Sequence, residues 1–223
     1  RSDLIQMDET PVQVLKEPGK TAQSKSYLWL QRGGPPDRPV ILFDYDPSRS
    51  AEVPKRLLEG FQGTLQTDGY AGYHAVVGAN RLTHVGCFAH ARRKFDEAIK
   101  AQGKQPRAGL AHQGLAWIQK LYGVEKTIRG RPAEERYVYR RQHSASILTE
   151  LRTWLDTALP KVPPTTVLGK ALNYLDHEWP KLIRYLDDGR LEIDNNRAEN
   201  AIRPFVTGRK NWMFSDSVRG VNA

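Results

Sequence analysis

Runs typical of β-strands fill the first hundred residues of the chain and stop at about residue 103. The apolar runs KSYLWLQRG and RPVILFDYDPS are bounded by Gly, Pro and Asp, and the turns KEPGKT and GGPPD separate neighbouring runs. From 103 to 188, apolar residues recur at helical spacing instead. The sequence therefore predicts a mixed α/β core over 1–102, an all-helical insertion over 103–188, and a return to the core with a last helix over 189–223.

Charge and length limit the class of protein. The 223 residues carry 34 Lys and Arg against 25 Asp and Glu, a net charge of +9 that favours a polyanionic partner, nucleic acid before membrane. The single cysteine excludes an internal disulfide framework and fits a reducing compartment. With no apolar run of about 18 residues and no signal sequence, we expect no membrane span and a cytoplasmic location. The first residue is Arg, and we expect a longer parent protein.

Three acidic residues stand where apolar elements are predicted. Asp8 lies in the middle of the first strand-like run, Asp68 at the end of a later one, and Glu199 in the first turn of the last helix. A carboxylate inside an apolar strand is costly unless it is paired or bound to a cation. Carboxylates from separate elements commonly hold Mg²⁺, and two ions about 3.5–4 Å apart catalyse phosphodiester chemistry.

Each acid also has an ordinary structural interpretation. Asp8 could belong to a strand-end turn, and Asp68 forms a common turn dipeptide with the glycine after it. Glu199 could complete a capping box with Asn196 as the N-cap. Asp194 is an alternative third acid. Taken together, however, the elements have the order of a ribonuclease-H-like nuclease: an acid on one strand, an acid on a later strand, a helical insertion, and an acid on the last helix.

Four segments resemble a known family in order and spacing. They are MDETPVQVL, GTLQTDGYAGYH, HVGCFAHARRKFDEA and LEIDNNRAENAIRPFVTGRKNWMFSDS, and they are similar to the catalytic region of transposases of the insertion sequence 66 family. The resemblance runs from about Asp8 to Asp216, and the last segment is the most specific. The helical middle contributes little to it. The family's full-length members are similar in carrying N-terminal DNA-binding and oligomerising segments, which lie outside this chain.

The resemblance implies a DDE transposase with a ribonuclease-H-like mixed sheet flanked by helices. Its catalytic and metal-binding residues would be Asp8, Asp68 and Glu199, with two Mg²⁺ ions, for which Mn²⁺ can substitute. Asp8 and Asp68 would share one ion, and Glu199 would help to hold the second. The implied reaction is hydrolysis at the element's end followed by attack of the released 3′-hydroxyl on target DNA. The implied partners are element ends, target DNA and further copies of the chain on DNA in the bacterial nucleoid.

Basic residues near these motifs are candidates for DNA contact. Arg203 follows Glu199 by one helical turn, and could contact a phosphate or pair with Glu199. Arg209 and Lys210 form a basic stretch nearby. Arg92 and Arg93 are predicted to open a helix, where cations oppose the helix dipole unless a polyanion lies close. A solvated surface is the alternative for both stretches.

Four further residues are predicted to be structural. Cys87 and His90 form a C-x-x-H pattern with too few ligands for a zinc site, so we expect a buried thiol at a strand end. Asp194 and Asn196 are expected to cap the last helix and so to hold Glu199 in place.

Two other functions stay open from the sequence. One is a catalytically silent DNA-binding remnant of a transposase. The other is a glycosidase with paired carboxylates, against which the basic charge and the few aromatic residues near the acids both argue.

Overall fold

The strand-type runs form a six-stranded sheet in this computed structural model, which describes residues 2–35, 37–103 and 108–221. The strands are β1 (Leu4–Lys16), β2 (Lys25–Gly33), β3 (Val40–Asp46), β4 (Thr64–Gln66), β5 (Thr83–Val85) and β6 (Ser215–Ser217). Their order is β3-β2-β1-β4-β5, and β6 pairs with β1. β2 runs antiparallel to β1 and β3, whereas β4 and β6 run parallel to β1. The predicted mixed α/β class is confirmed, and the two apolar runs KSYLWLQRG and RPVILFDYDPS contain β2 and β3, while β6 was missed.

Eight α-helices accompany the strands within the described residues. They are α1 (Glu52–Leu57), α2 (Tyr73–Asn80), α3 (Phe88–Lys100), α4 (Leu110–Thr127), α5 (Ala133–Ala158), α6 (Val167–Leu182), α7 (Asn196–Trp212) and α8 (Val218–Val221). Among those residues, no helix is both long enough and apolar enough to cross a membrane.

The chain divides into two compact units. The sheet unit comprises the chain up to His84 together with the chain from Asn195 onward, and the helical unit is Val85–Asp194. The boundaries that the sequence predicts for an insertion, 103 and 188, stay a prediction.

Helices cover both faces of the sheet unit's strands. Side chains alternate between faces along a strand, so the neighbours Trp29 and Leu30 of β2 point in opposite directions. Trp29 packs with Met7 of β1 and Tyr73 of α2 in one buried cluster. Leu30 packs on the other side against α7 in a second cluster. Burying each such side chain stabilises the fold by about 1.5–3 kcal/mol. This packing determines which face of β1 lies against α2 and which lies against α7.

A buried arginine organises the helical unit. Arg140 of α5 is fully buried, and its Nε and Nη2 donate to the two carboxylate oxygens of Glu125 in α4 at 2.8 and 2.7 Å. The same guanidinium donates to the carbonyls of Tyr185 and Leu191, each at 2.9 Å. A buried charge of this kind is tolerated because almost all of its donors are satisfied.

Candidate active site

Asp8 is placed by the pairing of β1 with β2. Asp8 lies opposite Leu30 in the antiparallel register, and directly opposed residues project to the same face of a sheet. Leu30 packs against Ala198 and Ile202 of α7. The half-buried Asp8 side chain therefore lies on the face that α7 covers.

Asp68 reaches the same place through the parallel pairing of β1 with β4. The register joins Ile5 to Leu65 and Gln6 to Gln66, and this last pair lies two residues before Asp8 on one strand and two residues before Asp68 on the other. The buried amides of Gln6 and Gln66 hold this register with a 2.9 Å hydrogen bond. The strand ends at Gln66, two residues before the predicted end at Asp68. Asp68 instead starts a turn, in which its Oδ1 accepts the N–H of Tyr70 at 2.9 Å.

Glu199 lies in the first turn of α7, whose start is attached to β1. The buried Asn195 donates from Nδ2 to the main-chain oxygen of Met7 at 2.7 Å, and Met7 is the residue before Asp8. The main-chain oxygen of Asn195 accepts the N–H groups of Ala198 and Glu199 at 3.0 and 3.1 Å. The last helix thus begins beside Asp8 and carries Glu199 on its opening turn.

The capping box predicted for this helix is wrong. The N-cap is Asn195, so Asn196 is the first helical residue and Glu199 the fourth, one place too late for a capping box. Within the described residues, the Asn195 side chain makes no cap bond to α7. The physical reason is that its amide bonds to β1 instead, so a tertiary contact replaces the local one.

The three acids share one electrostatic neighbourhood. The pKa of Asp8 is raised to about 7, first by burial and then by the negative charges of Glu9, Asp68 and Glu199. The N–H of Glu9 donates to Asp8 Oδ1 at 2.9 Å and acts in the opposite direction. Charges affect a pKa in this way over several ångströms, so the observation places Asp68 and Glu199 near Asp8 without requiring direct contact. Crowded carboxylates of this kind are chemically suited to bind divalent cations.

Glu9 is an acidic residue that the sequence reasoning missed. It lies opposite Trp29, so it points away from Asp8 and towards α2, and its side chain is only 2% exposed. Its Oε2 accepts the hydroxyl of the fully buried Tyr73 at 2.6 Å. Its Oε1 accepts Nη2 and Nε of Arg49 at 2.6 and 2.9 Å. Strand alternation is the signal that could have separated Glu9 from Asp8.

The basic residues of α7 differ in exposure. Arg203 and Lys210 are exposed, whereas Arg209 is half-buried and donates from Nη1 to Thr10 Oγ1 on β1 at 3.1 Å. DNA contact by these three residues stays a prediction.

The basic residues of α3 do not open that helix. Arg92 and Arg93 are exposed, but α3 begins at Phe88, so both lie in its second turn and the predicted first-turn placement is wrong. The guanidinium of Arg92 lies 5.8 Å from the ring centroid of Tyr122. Contact of either arginine with DNA stays a prediction.

Cys87 and His90 lie at a helix start. The strand predicted through this pattern ends at Val85, and Cys87 is the N-cap residue of α3 with His90 in the first turn. The Cys87 thiol is buried and is not part of a disulfide, as expected for a small hydrophobic residue.

Asp194 is bonded inside the helical unit. It is buried, and its Oδ2 accepts the Tyr122 hydroxyl at 2.8 Å. Burial, with the Asp194 charge next, raises the pKa of Tyr122, so this phenol stays a proton donor. Its cap role for α7 is not among the described contacts, and Tyr122 supplies the partner that the sequence pattern did not indicate.

Comparison with known proteins agrees with the resemblance found in the sequence. The profile of the Transposase IS66 family matches residues 1–223. Three similar proteins come from Sinorhizobium fredii (strain NBRC 101917 / NGR234), and each carries the name of an uncharacterized protein. They are y4jD (32% identical over 96% of this chain and 43% of its own length), y4qI (32%, over 96% and 41%) and y4hP (31%, over 82% and 36%).

The chain spans about two fifths of the length of these curated relatives. The family profile covers both the sheet unit and the helical unit. The chain therefore belongs to the IS66 family of transposases.

Proposed function

We propose that the chain carries the catalytic centre of a DDE transposase with a ribonuclease-H-like fold. The activity is cleavage of DNA at the ends of an insertion sequence and joining of those ends to target DNA. The observation that supports this proposal most is the common neighbourhood of Asp8, Asp68 and Glu199, in which the latter two charges act on the pKa of Asp8. Membership of a transposase family agrees with it.

The donor set suits divalent cations. Three carboxylates offer only oxygen ligands, which Mg²⁺ prefers and Mn²⁺ accepts. Burial first, and then the neighbouring negative charges, raise the pKa of Asp8, and a cation bound to Asp8, Asp68 and Glu199 would favour its charged form. When bound, two such ions supply the charge that activates an attacking hydroxyl and stabilises the leaving oxygen.

The protein's own groups supply position and charge. Asn195 ties α7 to β1 at Met7, and the N–H of Tyr70 orients the Asp68 carboxylate. The exposed Arg203 and Lys210 are available for phosphates of the DNA backbone, in a chain with a net charge of +9. Assembly of several copies on the DNA belongs to the same proposal.

Substitution of Asp68 tests the proposal. DNA carrying the ends of an IS66-type element is incubated with the wild-type chain and the Asp68→Asn variant in Mg²⁺ or Mn²⁺. We expect divalent-dependent nicking by the wild type and a loss of about 100-fold or more in the variant, because one charged ligand is removed. Titration with Mn²⁺, followed by calorimetry, should show binding that Asp68→Asn weakens.

Asp216→Asn is the matched control. Asp216 lies on β6 of the same unit, but its side chain is 64% exposed and pairs with Lys16 at the surface. This variant should cut DNA and bind Mn²⁺ like the wild type. Equal nicking by wild type and Asp68→Asn would overturn the catalytic assignment. Salt-sensitive DNA binding with neither cleavage nor Mn²⁺ affinity would favour a silent remnant instead.

A further inference from the structure

We propose that Arg49 is a positioning residue that holds Asp8 and Asp68 at a set separation. The inference rests on the proposed function of those two carboxylates. Arg49 contacts the chain next to each of them without belonging to the acidic cluster itself. The connection runs through Glu9, Tyr70 and Tyr73, and with Arg49 these residues are called the arginine clamp.

The first link joins Arg49 to β1. Two nitrogens of its guanidinium, Nη2 and Nε, donate to one oxygen of Glu9 at 2.6 and 2.9 Å. Glu9 is the residue after Asp8, and both are paired in the β1–β2 ladder. Any movement of the Arg49–Glu9 pair therefore moves the strand segment that carries Asp8.

The second link joins Arg49 to the turn that carries Asp68. The guanidinium lies 4.1 Å from the ring centroid of Tyr70, a distance typical of a cation–π contact. The Tyr70 hydroxyl also donates to the main-chain oxygen of Arg49. The main-chain N–H of Tyr70 donates to Asp68 Oδ1. Tyr70 therefore contacts Arg49 through its ring and orients Asp68 through its main chain.

Tyr73 is the buried member of the arginine clamp and bonds to Glu9. It is fully buried, its hydroxyl donates to the second oxygen of Glu9 at 2.6 Å, and burial keeps the pKa of this phenol well above its usual value. Its ring meets those of Tyr70 and Trp29 edge to face, with centroids 5.7 and 6.2 Å apart. Glu9 thus has donors on both oxygens, as a carboxylate buried to this degree needs.

Exposure separates a positioning role from a packing role. The Arg49 side chain is 42% exposed while its partner Glu9 is 2% exposed, so Arg49 contributes little to the buried core. Its contribution is the positive charge and the planar fork that compensate Glu9 and hold Tyr70. Without that charge, the buried Glu9 carboxylate would lose its cationic partner, and the strand and the turn would lose their cross-link.

The experiment compares Arg49→Gln with a matched arginine variant. Arg152 also pairs with acids, Asp156 and Asp176, and also lies near a ring, 5.5 Å from the centroid of Trp179, but in the helical unit. Arg152→Gln therefore removes the same kinds of contact from a unit that does not contain Asp8, Asp68 or Glu199. Arg49→Lys restores the charge without the planar fork. Melting temperature is measured for all variants to compare their folds.

Two readouts are taken on the 223-residue chain: the affinity for Mn²⁺, and the hydrogen-exchange rate of the Tyr70 amide. We expect Arg49→Gln to weaken Mn²⁺ binding about 10- to 100-fold, the usual cost of losing a partner behind a ligand, and to speed exchange at Tyr70 about tenfold or more. Arg152→Gln should leave both unchanged at a similar melting temperature. Arg49→Lys should recover part of the Mn²⁺ affinity. In DNA cleavage, Arg49→Gln should lower kcat with KM within about twofold.

The outcomes separate the two proposals. If the wild type binds Mn²⁺ and Arg49→Gln binds it equally well, the positioning role is overturned, whatever happens at Tyr70. If the wild type itself binds no Mn²⁺, the proposed function falls, and the exchange rate at Tyr70 alone decides whether the clamp holds the turn. Unchanged exchange would then overturn the clamp as well.

Discussion

Asp8 and Glu9 are adjacent in β1, yet their carboxylates serve different parts of the sheet unit. Glu9 turns towards Tyr73 and Arg49, which donate to both of its oxygens. Asp8 turns towards α7 and meets the charges of Asp68 and Glu199 instead. A strand's alternation of faces therefore separates Glu9, which is hydrogen-bonded to an arginine and a tyrosine, from Asp8, which lies on the face that α7 covers.

The raised pKa of Asp8 predicts that stability depends on pH when no metal is bound. The folded-state pKa of about 7 lies above the ordinary value of 3.8, so between these values the folded protein binds a proton that the unfolded chain has lost. Stability therefore falls as pH rises through this window, and the loss is complete above pH 7. Asp8→Asn removes the loss, so we expect it to raise the free energy of unfolding at pH 8 by about 2–4 kcal/mol and to change little near pH 4.

Urea unfolding in EDTA at pH 4, 6 and 8 measures this difference. Asp216→Asn, at an exposed carboxylate, should show no such trend. A gain for Asp8→Asn that is the same at all three pH values would contradict the explanation by titration.

At the scale of elements, the register of β1 decides which side chains meet. Its pairing with β4 aligns Gln6 with Gln66, the residues two positions before Asp8 and Asp68, while its pairing with β2 places Asp8 on the face that α7 covers. A slip of one residue would turn Asp8 to the opposite face, so the register is part of the site. The buried Gln6–Gln66 bond and the Asn195–Met7 bond both stabilise it.

The edge strand β3 predicts a tendency to self-associate. Residues 40–43 are four consecutive apolar residues, each between 40% and 56% exposed, and β3 ends the strand order of the described sheet. Exposed apolar edges associate with other strands, and a lysine on the edge opposes this. We expect Leu42→Lys to lower concentration-dependent light scattering, while the free energy of unfolding changes by no more than about 0.5 kcal/mol.

Val138→Lys provides the comparison. Val138 is 44% exposed on α5, so this substitution adds the same charge to a helix and not to the edge strand β3. If it lowers scattering as much as Leu42→Lys, net charge and not the edge strand is responsible.

At the scale of the whole molecule, main-chain hydrogen bonds connect the start of the helical unit to residues near its end. Gly86 N–H donates to the oxygen of Lys181 at 3.0 Å, and Phe88 N–H donates to that of Ile193 at 3.1 Å. Its two ends therefore lie close together, a property typical of segments that fold as a unit. The Arg140–Glu125 pair and the carbonyls around it lie entirely inside this unit.

This arrangement predicts that residues 85–194 fold when they are produced alone. We expect helical circular dichroism and a single cooperative thermal transition. Arg140→Ala in the same fragment should lower the free energy of unfolding by about 3–5 kcal/mol, because it removes a fully buried guanidinium that bonds both oxygens of Glu125 and two main-chain carbonyls. A fragment that melts without a cooperative transition would show that the unit depends on the rest of the chain.

Local patterns were sufficient for part of this result. Apolar runs bounded by turn residues predicted β2 and β3, helical spacing predicted the helices in the middle of the chain, and acids in apolar runs singled out Asp8 and Asp68 as candidates. These signals succeed because each depends on residues only a few positions apart. The short strand β6 and the end of β5 were missed, since three-residue strands carry too little pattern to detect.

The candidate acids could be chosen from the amino-acid order alone, whereas their surroundings were decided only when the chain folded. Asn195 looked like a local cap, but its amide bonds to Met7, 188 positions away along the chain. Glu9 looked like a neighbour of Asp8, but Arg49 and Tyr73 draw it to the other side of the sheet. Contacts between distant residues depend on strand register and helix packing, and no local periodicity contains that information.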